Sequence, residues 1–473
     1  MPDALFPSRD EIEKVLKLVF DEATHYLDTV DTRVVRDARS LPALEELGGA
    51  LPDSGVGAAK ALRELIEKGI PAALHSSGPR NYHFVMGGHT PASLGADLLA
   101  VTLDQAAYAW VSSPLAVRLE LIALDWLKSL FGLPAAWTGV MTTGATMANF
   151  VGLSAARQWW GERIGYDAAA QGLSGLPVPA IFSGGYVHAS AVKVLGMLGI
   201  GRDTIQLCSR DAEGRLDLER LERKLAALEG APAIIIGNAG EVNSGDFDPI
   251  SDLADLAERY DCWLHVDGAF GLFASVSPRT SHLVSGAERA HSVTVDGHKW
   301  LNVPYDCGFS FVCDKSLMVR AFTYSGDYLP KPDDPEPNLG TIGPESSRRA
   351  RSLAVWATLR AYGRRGYRQL FEQHLDLAQY LASLIDQASE LERLAPVPLN
   401  IVCFRYNPGG CSEKKLNRLN TALGKAILED GRVFAGTTLF GSKVALRPAI
   451  TNWRTRSQDL DLFVQVVREL APG

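Results

Sequence analysis

Across residues 79–348 short apolar runs alternate with stretches of helical spacing, and this alternation constrains the fold more than any other feature of the chain. Ala180-Ile181-Phe182, Ala233-Ile234-Ile235-Ile236, Trp263-Leu264-His265-Val266 and Phe309-Ser310-Phe311-Val312 are short and almost continuously apolar. Strands of that kind are covered on both faces, which predicts an α/β fold with a mostly parallel central sheet and helices on both sides. The expected division is an N-terminal helical segment over 1–78, a large domain over 79–350 and a smaller α+β domain over 351–473. Within the last, the spacing predicts helices over 353–362, 370–385 and 415–428 and a strand over 401–404.

Near the start, Ser8 and Glu11 have capping-box spacing and precede Ile12, Val15, Leu16 and Val19 at helical intervals. A single terminal helix cannot bury such a face alone, so it packs on its own body or on a second copy of the chain. A homodimer is the expectation. The chain has 473 residues and a formal net charge of −8, which leaves no overall basic field for nucleic acid or anionic lipid and favours a small-molecule substrate. No apolar run reaches membrane-spanning length, and the N-terminal sequence lacks the basic-then-apolar order of a signal peptide, so the expected location is cytoplasmic. The six cysteines are far apart, without zinc or disulfide spacing, and are read as reduced thiols.

Chemistry concentrates in four places. Ser292-Val293-Thr294-Val295-Asp296-Gly297-His298-Lys299-Trp300 delivers a lysine into the turn after a β-branched run. Alone it reads as a snorkelling surface amine. His265-Val266-Asp267-Gly268-Ala269 sets an acid at the carboxyl end of an apolar strand, where open α/β sheets bind ligands. A buried aspartate there needs a cation, and a protonated pyridine nitrogen would serve; the alternative is a helix N-cap. Gly139 to Thr146 runs through small residues into a helical stretch, leaving amides for an anion, although a Gly/Thr turn is by itself often only a loop. His188 stands at a strand-to-helix junction, either as a structural histidine or as a group stacked on a cofactor face and suited to proton transfer near neutral pH.

Together with Pro79-Arg80-Asn81-Tyr82-His83-Phe84, Ser113-Pro114, Val303-Pro304-Tyr305-Asp306-Cys307-Gly308, Arg348-Arg349-Ala350-Arg351, Leu446-Arg447-Pro448 and Asn452-Trp453-Arg454-Thr455, these motifs cover nearly the whole chain in order. The sequence resembles the group II pyridoxal-phosphate decarboxylases, the fold type I family that includes aromatic amino acid, glutamate and histidine decarboxylases. The resemblance implies pyridoxal 5'-phosphate held as an internal aldimine on Lys299, with Asp267 on the pyridine nitrogen. It also implies Ala269 against one ring face and His188 on the other, Gly144, Ala145 and Thr146 on the phosphate, and His298 near the same group. Family dimers carry their sites at the subunit interface, so Tyr82, His83 and Phe84 are expected along the substrate pocket. Tyr82, Phe84 and Trp110 lean toward an aromatic substrate unless they belong to the core.

Three departures stand out. Ala239-Gly240-Glu241-Val242-Asn243 replaces the Ala-Gly-Thr-Thr segment that helps hold the cofactor's phenolic oxygen in many relatives, and Met147 stands where relatives commonly carry glutamate. The polar segment 330–344 reads as a mobile lid, yet no tyrosine lies between positions 330 and 348 to protonate the carbanion as in aromatic decarboxylases. Tyr324, Tyr328 or His188 would then take that role. The expected reaction is decarboxylation of an L-amino acid to its amine. The alternatives on the same cofactor are aldehyde-forming oxidative deamination, carbon-carbon cleavage and transamination.

Overall fold

The computed structural model describes residues 9–324, 326 and 335–472. Seven strands form the central sheet: β1 (Thr138–Thr142), β2 (Ala180–Ser183), β3 (Ile205–Leu207), β4 (Ala233–Asn238), β5 (Trp263–Asp267), β6 (Ser292–Asp296) and β7 (Gly308–Val312). Their order is β1-β7-β6-β5-β4-β2-β3, with β7 antiparallel to both neighbours and the remaining pairs parallel. Every residue of β4, β5, β6 and β7 is buried, so their apolar residues face both sides of the sheet, and the polar ones among them, such as His265, Ser292 and Thr294, are buried as well.

The register lines up the strand ends that matter. Asn238 pairs with Asp267 across β4 and β5, while Gly308 faces both Asp296 and Thr142. The carboxyl ends of four strands therefore open onto one crevice, where the helix Ala145–Arg163 also begins. Its start is set hard against the sheet. A methyl added at Gly308 would lie 2.6 Å from the Gly144 Cα, so this approach requires glycine.

A second, four-stranded antiparallel sheet has the order β10-β11-β9-β8, formed by β8 (Leu391–Arg393), β9 (Phe404–Tyr406), β10 (Thr437–Phe440) and β11 (Lys443–Leu446). The strand expected over 401–404 starts only at Phe404; Ile401 makes an isolated bridge to Ala449. The two helices expected after position 352 lie within Ser352–Asp386 and are separated at Gly363, whose φ of 59° is left-handed; the second begins right after this glycine rather than at 370. The helix expected over 415–428 spans Glu413–Asp430.

The first helix, Arg9–Thr29, has no buried residue, and Leu16 and Phe20 are 62% and 69% exposed. Ser8 lies outside the described residues. Glu11, its expected capping partner, accepts the Ala58 N–H through Oε1 at 3.0 Å and so ties this helix to Ala58–Glu64. Among the described residues no helix is long and apolar enough to cross a membrane, and all six cysteines are free.

Candidate active site

A cavity of about 300 Å³ lies at the strand ends, and Gly144, Ala145, Thr146, His188, Asp267, Ala269, His298 and Lys299 all line it. Four separate motifs, more than 150 positions apart at the extremes, converge there because β1, β2, β5 and β6 end at the same edge of the sheet. Lys299 is partly buried; its Nζ is 3.3 Å from Asp296 Oδ2 and 5.6 Å from the centre of the Phe270 ring. The turn carrying it is tied down on both sides. Gly297 N–H donates to the Cys307 carbonyl at 3.0 Å, and Asn302 Nδ2 donates to the Trp300 and Thr451 carbonyls at 3.0 and 2.9 Å.

Asp267 ends β5 with its side chain fixed by two donors. Asn149 Nδ2 reaches Oδ2 at 2.9 Å, and the Ala269 N–H reaches Oδ1 at 3.2 Å. Only one of the two is a local backbone contact, so the aspartate is more than a turn-former. His188 has a structural role and also lines the cavity. It caps the helix Ala189–Met197, accepting the Ser190 N–H at Nδ1 at 3.2 Å, and its ring is accessible from the cavity. The surrounding walls desolvate that ring and hold its pKa below the usual 6.5, while the Asp267 carboxylate pulls the other way and Lys299 reinforces the depression.

The anion seat differs in detail from expectation. The Ala145 N–H already donates to Asp296 Oδ1 at 2.7 Å. Gly144 offers no side-chain cap to the helix, so the first-turn donors left over are the Thr146 and Met147 amides. His298 stacks on Tyr305 with ring centres 4.0 Å apart, and its Nδ1 is buried without a partner among the described residues. An oxyanion at the helix start would satisfy these groups. Losing the glutamate at Met147 does not remove a backbone donor.

Glu241 replaces the expected threonine chemistry with a turn of its own. Its carboxylate accepts the Ser244 hydroxyl at 2.6 Å, the Ser244 N–H, and the Asn243 N–H at 2.8 Å, and burial pushes its pKa up. Of the aromatic residues expected near the substrate, Tyr82 belongs to the core of the smaller sheet, edge-on to Phe463 at 5.3 Å, because its side of the chain faces that core. Trp110 packs beside the core under β1 and β2. Phe84 is 60% exposed.

Tyr324 is outside the cavity lining, with its hydroxyl against Gly340, and Tyr328 and residues 330–334 lie outside the described residues. The described remainder of the expected lid is anchored. Trp110 N–H donates to the Pro337 carbonyl at 3.0 Å, Leu339 N–H to the Tyr108 carbonyl at 2.7 Å, and Leu339 is buried. Sequence reading missed Asn149, Asp296, Ser190 and Phe270 as parts of the site. Asn149 was findable, since it stands four residues after Ala145 and so on the same face of the helix.

Residues 58–407 match the family model described as the pyridoxal-dependent decarboxylase conserved domain. An aromatic-L-amino-acid decarboxylase of Bacillus atrophaeus is 28% identical over 470 residues, covering 97% of this chain and 94% of that protein. A phenylacetaldehyde synthase of Arabidopsis thaliana is 26% identical, covering 98% and 96%. Among solved structures, that of Oryza sativa TDC with PLP and tryptamine superposes with a TM-score of 0.91 at 23% identity, covering 100% and 99% of the two chains, a likeness of fold.

Proposed function

The chain belongs to the pyridoxal-dependent decarboxylase family, and from that premise we propose that it converts an aromatic L-amino acid to the corresponding amine and carbon dioxide. The cofactor is pyridoxal 5'-phosphate. The donor set suits it: a lysine amine, a fixed carboxylate, free amides at a helix start and an unpartnered imidazole nitrogen share one cavity. When bound, the cofactor supplies the electron sink for the bond broken at the α-carbon. Lys299 would hold its carbonyl carbon and Asp267 would keep the ring nitrogen protonated. Ala269 and His188 would bracket the ring, while Gly144, Ala145 and Thr146, with the Met147 amide and His298, would frame the phosphate.

The observation that carries the reading is that Lys299, Asp267 and His188, from three different strand ends, line the same small cavity. With its pKa below 6.5, His188 is a neutral ring at pH 7, able to donate one proton from one nitrogen and take it back. The aromatic preference is supported by the relatives' names. The test is incubation of the purified enzyme with all twenty amino acids and mass spectrometry of the products. An aromatic amine as the main product supports the reading.

A second reading, aldehyde formation with consumption of dioxygen, is favoured by the absence of tyrosine between positions 330 and 348 and by the aldehyde synthase among the relatives. Aldehyde and ammonia as main products would establish it. We further propose a cytoplasmic homodimer, with residues 1–78 as the dimerisation segment beside the domains 79–350 and 351–473. The exposed apolar faces of Arg9–Thr29 and of Pro91–Leu103, where Leu98, Leu99 and Val101 are all exposed, support it.

A further inference from the structure

Behind the cavity runs a buried polar chain that the proposed reaction leaves unexplained. Trp263 Nε1 lies 3.0 Å from Ser292 Oγ, Ser292 Oγ 2.7 Å from His265 Nδ1, and His265 Nε2 2.8 Å from Asn149 Oδ1. Asn149 Nδ2 then reaches Asp267 Oδ2 at 2.9 Å and Ser190 Oγ at 3.2 Å, and Ser190 Oγ is 2.7 Å from His188 Nδ1. Trp263, Ser292, His265 and Asn149 are all fully buried.

The direction of every bond is fixed by its ends. An ionised carboxylate only accepts, so Asn149 must turn its amide N–H to Asp267 and its carbonyl oxygen to His265. His265 therefore carries its proton on Nε2. Burial holds this ring's pKa down to about 4, so it is neutral and its Nδ1 accepts from the Ser292 hydroxyl. Trp263 can only donate, and Ser292 Oγ receives it. At the other end, Ser190 Oγ accepts the second Asn149 N–H and its hydroxyl donates a hydrogen bond to His188 Nδ1, which also accepts the Ser190 N–H. His188 is thereby left with its proton on Nε2.

We infer that Asn149 is a positioning residue for the reaction: its side-chain amide orients the Asp267 carboxylate and, through Ser190, holds His188 in the Nε2–H form. The inference rests on the roles proposed above for Asp267 and His188. Space for the chain is built into the same helix. One turn on from Asn149, a methyl on Gly152 would come within 2.8 Å of His265 Cε1 and 3.1 Å of Ser292 Oγ, so glycine there admits the histidine.

Two variants, one isosteric and one shorter, test it. Asn149→Asp keeps the acceptor for His265 but sets a second carboxylate oxygen against Asp267 in place of the amide donor, whereas the shorter Asn149→Thr puts back an uncharged hydroxyl able both to accept and to donate. In Asn149→Asp, kcat should fall at least about 10-fold with KM within about twofold, and the dissociation constant for pyridoxal 5'-phosphate, measured on apoenzyme by fluorescence, should rise about 10-fold. Asn149→Thr should recover most of the cofactor affinity. The inference is overturned if Asn149→Asp matches the unchanged enzyme in both quantities, or if Asn149→Thr is as impaired as Asn149→Asp. Cofactor affinity is read without any amino acid, so it tests the relay even if the unchanged enzyme makes no amine, an outcome that would sink the functional reading instead.

Discussion

Lys299 Nζ lies 3.3 Å from one oxygen of Asp296, and the other oxygen of that carboxylate accepts the Ala145 N–H at 2.7 Å. One buried side chain thus links the lysine to the start of the helix Ala145–Arg163. The lysine is held at a defined place before any cofactor arrives, and its amine is kept within reach of the cavity.

Replacing Lys299 with alanine should abolish the visible absorption band of the purified protein and the borohydride-reducible link to the cofactor. Peptide mass spectrometry after reduction checks this. A reduced cofactor found on another lysine would disprove the assignment.

For Asp267→Ala, some cofactor should still bind, but turnover should fall by about 100-fold or more, the scale of losing a main electrostatic stabiliser. Steady-state kinetics on protein of known cofactor content gives the answer. Near-normal kcat would remove Asp267 from the mechanism.

Helix Arg9–Thr29 exposes its apolar face, so deleting the residues before Leu41 should leave an aggregated or inactive protein, while the full chain sediments as a dimer. Analytical ultracentrifugation distinguishes the cases. A soluble, active monomer from the truncated chain would refute the dimerisation role.

Stability should decline as the medium is acidified below about pH 6.5. His265 and His374 are fully buried, and both are pushed from the ordinary 6.5 to about 4 by burial. His374 accepts from Trp300 Nε1 at 2.8 Å and donates to the Asn452 carbonyl at 3.0 Å, a neutral pattern. Between about pH 6.5 and 4 the unfolded chain binds more protons than the folded one, so stability rises with pH across that window. Each histidine should cost on the order of 2 kcal/mol at pH 5 relative to pH 7. Urea titrations at the two values measure it, and proton uptake on unfolding at pH 5 gives the sign independently.

Gly152→Ala should destabilise the fold by about 1–3 kcal/mol, since the added carbon meets a histidine ring that is hydrogen-bonded at both nitrogens and cannot swing away. Thermal melting of the variant against the unchanged protein is sufficient. An unchanged melting temperature would mean that the ring yields.

Much of this was legible in the order of residues, and the reasons differ by element. β4, β5 and β7 are buried throughout and announce themselves as mostly apolar runs, and β6 as a β-branched one. Lys299, Asp267 and His188 were found because each ends or follows such a run. Asn149 was not, since a polar residue inside a helix looks like surface until the tertiary fold sets it against β5. Glu241 was seen only as a missing threonine; that it closes its own turn with Ser244 depends on side-chain geometry, which spacing does not carry. Tyr82 was expected along the pocket from the family resemblance, whereas its ring packs edge-on to Phe463 in the core of the smaller sheet. The break at Gly363 was legible as the end of the helix over 353–362, but the resumption of helix directly after it was not, because nothing in the spacing of 364–369 marks a helix start.

That interrupted segment, Ser352–Asp386, contributes Val355, Phe371 and Leu375 to the core of the large sheet and Leu381 and Ile385 to the core of the small one. Neither core is complete without it. Heat should therefore melt both sheets in one calorimetric transition rather than two, and a protease nick near position 390 should release no independently stable fragment. The architecture has two sheets, but for melting and degradation the chain should behave as one body.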